Sequence, residues 1–236
     1  MQFDIRSNVK EVSRWLDDAQ KKQIPFATVY AMTLTARDVH TAEISVMSRV
    51  FDRPTPYTLN ALRVIPATKQ TYVASVAFKE FGGTPAKRFL NPEVHGGPRS
   101  RKAHERRLAP MMGGYQFAVP ARGTDRDAYG NMKGGEYRKI ISQLKVSGDP
   151  TANASKSGRS KRARKNNAYF VKGRVVYHRT GAGIKPALVF VSAPRYRKRF
   201  PFYETAAHVV ADKFKVNFEV AFQRTMATSG YKGKWK

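Results

Sequence analysis

Apolar positions along the chain fall into two long helical periods near its ends, with shorter alternating runs between them. Phe3 to Ser7 alternates and predicts a short strand. Asn8 suits the N-cap of a helix running from Val9 to about Lys21, with Val12, Trp15, Leu16 and Ala19 on one face. Pro25 sits where a first helical turn tolerates it. From Phe26 to Val50 there is no Gly or Pro, and Thr28, Met32, Thr35, Val39, Ala42, Val46 and Val50 recur at steps of three and four. That spacing predicts a long amphipathic helix with a small-residue face, suited to close approach by another element. Asp52-Arg53-Pro54-Thr55-Pro56 ends it, because a residue before proline avoids the helical region.

A short helix is predicted over Thr58–Leu62. Strands over Arg63–Ala67 and Thr71–Phe78 follow, joined by a turn at Thr68-Lys69-Gln70. Both faces of the second strand are fairly apolar, which predicts a central position in a sheet. Helices are expected near Ala86–Phe89, over Ser100–Leu108 and over Glu136–Val146, with a strand at Gln116–Val119 and loop through 120–135. Residues 147–167 are poor in apolar side chains and rich in Ser, Gly, Asn, Lys and Arg, which reads as a flexible basic loop. Tyr169–His178 and Ala187–Ser192 then predict a hairpin across the Thr180–Gly183 turn. A last helix over Tyr203–Thr228 has two apolar stripes. One is Ala207, Val210, Phe214, Phe218 and Ala221; the other is Val209, Val216 and Val220. The sum is an α+β protein: a small, mostly antiparallel sheet between long N- and C-terminal helices, with a basic flexible insertion. At 236 residues, one domain over 1–236 is expected, with 147–167 its loop.

Charge changes the picture. Lys and Arg number 44 against 17 Asp and Glu, a net of +27, yet 41% of residues are hydrophobic, enough for a core. The excess is uneven. Residues 1–52 hold seven basic and seven acidic side chains, whereas residues 150–203 hold fourteen Lys or Arg and no acid. A second cluster comprises Arg99, Arg101, Lys102, Arg106 and Arg107, interrupted by Glu105. A single cluster can be an ordinary solvated face; an acid-free stretch this long implies a polyanion nearby, and charge alone does not choose among nucleic acid, an acidic protein surface and anionic lipid. Candidate nucleic-acid-facing residues are Arg159, Lys161, Arg162, Arg164 and Lys165 in the loop, and Arg195, Arg197, Lys198 and Arg199 after it. Tyr169 and Phe170 fit strand core better than base stacking.

Candidate catalysis does not assemble. The chain has no cysteine, which excludes disulfides, thiolate metal sites and a cysteine nucleophile. His40, His95, His104, His178 and His208 are scattered without metal-ligand spacing. The Gly-Gly pairs match no phosphate-binding motif and read as turns. Catalytic, cofactor and metal residues are therefore expected to be none, although convergence of Glu93, Asp127 and Glu136 would reopen a nuclease reading. No apolar run is long enough for a membrane span, and the N-terminus lacks a signal pattern, so no membrane partner is expected and the product is expected to stay in the cytoplasm where it is made.

The stretch QIPFATVYAMTLTARDVHTAEISVMSRVFDRPTPYTLNALRVIPATKQTYVASVAF combines a helix opening near a proline, a proline-rich break and a basic hairpin. It resembles the N-terminal half of the lambda-type minor tail protein Z family of tailed bacteriophages. RKRFPFYETAAHVVADKFKVNFEVAFQRTM resembles the same family's ending, an aromatic-proline segment followed by one long helix. The wording VFDRPTPYTLNALRV also resembles uncharacterised proteins of phage structural gene clusters. The resemblance covers residues 20–80 and 195–228, with a basic low-complexity region between, and leaves 85–150 without a counterpart. It implies a non-enzymatic tail-completion or neck component of the virion, made in the host bacterial cytoplasm. It implies a homo-oligomeric ring near the DNA exit channel, with other neck or tail proteins and the viral DNA as partners. Val209, Val216 and Val220 are the candidate subunit-interface residues, because a ring subunit needs a second apolar helix face. The alternative is a nucleic-acid-binding protein using the basic arm.

Overall fold

The structure, a computed structural model, describes residues 13, 17, 19–82, 84–122, 124–154 and 168–228. The predicted strand Phe3–Ser7 and most of the helix after Asn8 lie outside these residues. The architecture is α+β, with long helices towards both ends and small antiparallel sheets between them. The chain, expected as one domain, groups into two compact units: Met1–Val50 with Pro56–Ala86 and Phe200–Lys236, and Phe51–Thr55 with Lys87–Arg199. The second is thus inserted in the sequence of the first.

The first unit is a helical hairpin carrying a β-ribbon. Helix α1 spans Ile24–Val50 and is entered by a π-helical turn, Ala19–Gln23. Short helix α2 spans Pro56–Leu59, strand β1 Leu62–Ile65 and strand β2 Ser75–Phe78. The strands pair antiparallel, Leu62 opposite Phe78 and Ile65 opposite Ser75. Because this sheet has only two strands, the second is not central; its apolar faces are satisfied by packing on α1 instead. Thr33 Oγ1 accepts from the Ala67 amide at 3.2 Å and so ties the ribbon's loop to that helix.

The last helix lies antiparallel to α1. It spans Phe202–Thr228, and Ala27, Ala31 and Ala221 meet in its seam with no exposure, flanked by Phe214, Phe218, Phe222 and Tyr30. Alanines lower the ridge of one helix so that the aromatic ridge of the other can fill the groove. The buried face of α1 is Ala27, Ala31, Thr35, Ala36, Val39, Glu43 and Met47, which shares only Thr35 and Val39 with the predicted stripe. Hydropathy favoured Met and Val at steps of three and four; packing selected a step of four that puts alanines against phenylalanines. Polar contacts fix the pairing. Asn217 Nδ2 donates to Thr35 Oγ1 at 3.1 Å and to Asp38 Oδ2 at 2.7 Å, and Arg224 donates to the Tyr30 hydroxyl at 2.6 Å.

The second unit holds helix α3 (Lys87–His95), strand β3 (Gly97–Pro98), helix α4 (Ala103–Leu108), strand β4 (Phe117–Pro120) and helix α5 (Gly134–Gln143). Strands β5 (Tyr169–Lys172), β6 (Val175–Thr180), β7 (Gly183–Val191) and β8 (Arg195–Tyr196) follow, and the last helix is then α6. The main sheet is antiparallel in the order β4-β7-β6-β5, while β3 pairs with β8. The predicted strand Tyr169–His178 is thus two strands. Gly173, at φ 58°, makes the tight turn that splits it, in a backbone region other residues rarely enter. Leu188, Phe190, Val176 and Ala118 on one sheet face bury against Leu108, Met112, Met132, Ile140 and Ile141. Tyr137, Ile140, Ile141 and Leu144 face this core as the helical spacing predicted. Residues 147–154, expected within the flexible loop, form a 3-10 turn over Pro150–Ala152. Asp149 caps it, accepting from the Thr151 amide at 2.9 Å.

Glu43 is fully buried, and neither carboxyl oxygen has a hydrogen-bond partner. Burial, and secondarily the charge of Glu204, pushes its pKa up to about 8 from the usual 4.5. The folded state therefore holds a proton that the unfolded chain has released, so stability falls as pH rises from about 4.5 to about 8 and then levels off. Glu43→Gln removes this titration. Thermal melts between those pH values should show a fall in Tm on the order of 5 °C or more in the native chain and a flatter profile in the variant. Identical slopes would show that Glu43 does not carry the pH dependence.

Candidate nucleic-acid interface

The inserted unit carries most of the charge. Phe51–Thr55 and Lys87–Arg199 contain 28 Lys and Arg against seven Asp and Glu, a net of +21, while the helical unit has 16 against ten, a net of +6. Any polyanion is drawn to the inserted unit.

The second basic cluster is organised by one acid. Glu105, on α4, has no exposure. It accepts from both terminal nitrogens of Arg99 at 2.8 and 2.5 Å, from the Lys102 amide at 2.6 Å and from the Ala118 amide of β4 at 3.1 Å. Burial pushes its pKa up, but the Arg99 hydrogen bonds, the two amides and the Arg99 charge hold it below the ordinary carboxylate value. Arg99 in turn lies over the Phe117 ring at 4.8 Å. Arg101 donates to the Glu105 carbonyl at 3.2 Å, and Arg106 to the Arg101 carbonyl at 3.0 Å. His104 stacks on Tyr137 at 4.0 Å, and burial pushes its imidazole down to about 4, so it is neutral at neutral pH. Of the five cations only Arg99 is largely enclosed; Lys102, Arg106 and Arg107 remain exposed around it.

Of the residues expected to face nucleic acid, Arg159, Lys161, Arg162, Arg164 and Lys165 lie outside the described residues. Arg195, Arg197, Lys198 and Arg199 follow β7 and are exposed. They are not equivalent. Arg195 lies on β8, opposite Pro98. Gly96, at φ 77°, lets that junction close, since a Cβ there would stand 3.3 Å from the Tyr196 carbonyl oxygen. Arg199 is committed to structure: its Nε donates to Glu93 Oε2 at 2.9 Å, and its guanidinium sits 5.8 Å from the Phe51 ring centre.

Tyr169 is buried, and its hydroxyl donates to Glu136 Oε2 at 2.7 Å while its ring stacks on His178 at 4.3 Å. Phe170, on the opposite face, stacks on Tyr177 at 5.6 Å and is covered by Arg179 at 4.3 Å. Glu136 also pairs with Lys139 at 2.5 Å, and the hydrogen bonds from Lys139 and Tyr169 hold its pKa down. Glu93, Asp127 and Glu136 do not converge: Glu93 pairs with Arg199, and Asp127 accepts from the amides of Tyr129 and Asn131. Among the described residues no group of three His, Asp or Glu side chains is placed to hold a metal ion. The predicted interface residues Val216 and Val220 on α6 are half exposed, as are Val210 and Tyr203, whereas Val209 is partly covered. No helix of the described residues is long and apolar enough to cross a membrane. No family model, curated protein or solved structure matches the chain.

The Glu105 network makes a direct prediction. Glu105→Ala leaves the Arg99 guanidinium buried without a counter-charge and two amides unsatisfied, so urea unfolding should show a loss of about 3–5 kcal/mol. A loss under about 1 kcal/mol would mean that Arg99 reaches solvent when released. Because the folded pKa lies below the unfolded one, the stability Glu105 supplies is full above about 4.5 and is lost as pH falls through its folded value.

Proposed function

We propose that this chain is a non-enzymatic structural protein of a tailed-phage virion, a neck or head-proximal tail-completion component that assembles as a ring near the DNA exit channel. The resemblance of residues 20–80 and 195–228 to minor tail protein Z supplies the family. The observation that carries the reading is the separation of duties between the units. The helical unit bears an unpartnered apolar stripe, with Val216 53% and Val220 50% exposed. The inserted unit holds +21 of the net +27. A ring around a DNA channel needs surfaces of both kinds: an apolar one for neighbouring subunits and a cationic one that tolerates packed phosphates. The partners on this reading are further copies of the chain, other neck or tail proteins and the viral DNA.

The second reading is a nucleic-acid-binding protein acting outside a particle, and the charge of the inserted unit favours it equally. Electron microscopy of particles assembled without this chain separates the two. Free tails beside filled or leaking heads are expected on the virion reading; normal infectious particles would overturn it. Val216→Asp with Val220→Asp should block self-association of the purified chain, read by analytical ultracentrifugation, while leaving the fold intact because both positions face solvent.

A further inference from the structure

The inserted unit contains a cleft of about 600 Å³ at the C-terminal end of α5. Arg107 of α4, Arg138 and Lys139 of α5, and the polar side chains of Ser142, Ser147 and Asn153 line it, and no Asp or Glu does. The two arginines come from different helices. Both are exposed, and among the described residues neither has a hydrogen bond, an ion pair or a stacking partner. Elsewhere in the unit Arg99 is held by Glu105, Arg199 by Glu93 and Arg53 by Asp52. Lys139 is shared with Glu136. The nearby carboxylate, Asp149, is occupied by the Thr151 amide and hydroxyl. Free guanidinium forks in an acid-free concavity are the chemistry that takes phosphate bidentately.

Described residues from two further segments are tied to the same end of α5. The Ala154 amide donates to the Ser142 carbonyl at 3.0 Å, and the Tyr169 amide donates to Gln143 Oε1 at 3.0 Å. The described residues on either side of 155–167 are thus held by consecutive residues of α5, at the cleft. The sequence between them has six Lys or Arg and no acid. A unit with a net charge of +21 favours a polymer with a phosphate at each repeat over a single phosphate.

We infer that the cleft between α4 and α5 is a phosphodiester-binding site, with Arg107 and Arg138 as its backbone contacts and duplex nucleic acid as its ligand. The inference rests on the inserted unit facing nucleic acid, which both readings above share, and does not require the virion assignment. The site comprises described residues only.

The test is binding of the purified full chain to a duplex of about 30 bp, followed from about 50 to about 200 mM salt. The native chain should bind with a steep salt slope. Arg107→Ala with Arg138→Ala should lower that slope by about two and weaken binding at the higher salt by about tenfold or more. Lys213→Ala with Lys215→Ala, an equal loss of charge on α6, should leave the slope within about half a unit. Equal effects from both pairs would overturn the inference, because the cleft would then contribute only net charge. Binding by the native chain that Arg107→Ala with Arg138→Ala leaves unchanged would overturn the cleft and spare the nucleic-acid reading. Failure of the native chain to bind would remove both, and capture of an acidic protein in its place would reassign the cations. The two arginines are exposed and unbonded, so an unchanged Tm verifies that the variant is folded.

Discussion

The inserted unit depends on one carboxylate placed where a carboxylate is costly. Glu105 is fully enclosed, yet it receives four donors from three segments: Arg99, the first turn of α4 and the edge of β4. Each donor lowers the cost of keeping the charge out of water, and together they turn a burial penalty into a fixed junction. Around it, His104 is kept neutral against Tyr137, and Arg99 covers Phe117. The helix carrying Arg107 is set by this junction, and α5 is set by the sheet core through Ile140 and Ile141. The position of the two cleft arginines is therefore a consequence of packing that neither arginine takes part in.

Scarcity of acid organises the rest of that unit. With seven carboxylates against 28 cations, every carboxylate matters. Glu93, Glu105 and Glu136 are spent on Arg199, Arg99 and Lys139, while Asp127 and Asp149 cap turns. Asp52 pairs with Arg53, and among the described residues no carboxylate pairs with Arg107 or Arg138. Self-repulsion among so many cations opposes folding, and a bound polyanion would relieve it.

The helical unit has the opposite economy. Its seam is alanine against phenylalanine, closed by Asn217 and Arg224, and it buries Glu43 without a hydrogen-bond partner among the described residues. A seam of this kind specifies pairing by shape. It also leaves the Val216 and Val220 side of α6 about half exposed.

The sequence alone determined the elements whose signal is local. Uninterrupted helical spacing predicted α1 and α6 nearly to the residue, and Ile140 and Ile141 were legible as core, whereas the strand bounds were not: β7 starts at Gly183 and runs through Pro186. It also determined where the charge lies, since composition does not depend on folding. Only the tertiary structure decided which face of α1 is buried, because Ala27 and Ala31 are chosen by the shape of α6 and not by their own hydropathy. The same holds for the cations. Arg99, Arg101, Lys102, Arg106 and Arg107 look alike as a string, yet the fold commits Arg99 to Glu105, sends Arg101 and Arg106 to backbone carbonyls and leaves Arg107 beside Arg138, thirty-one positions away. A hint existed in the polar stripe of α5, where Arg138 and Ser142 lie opposite Ile140. Pairing across two helices is nonetheless a long-range fact. A charge carries no mark of its partner until the chain has closed around it.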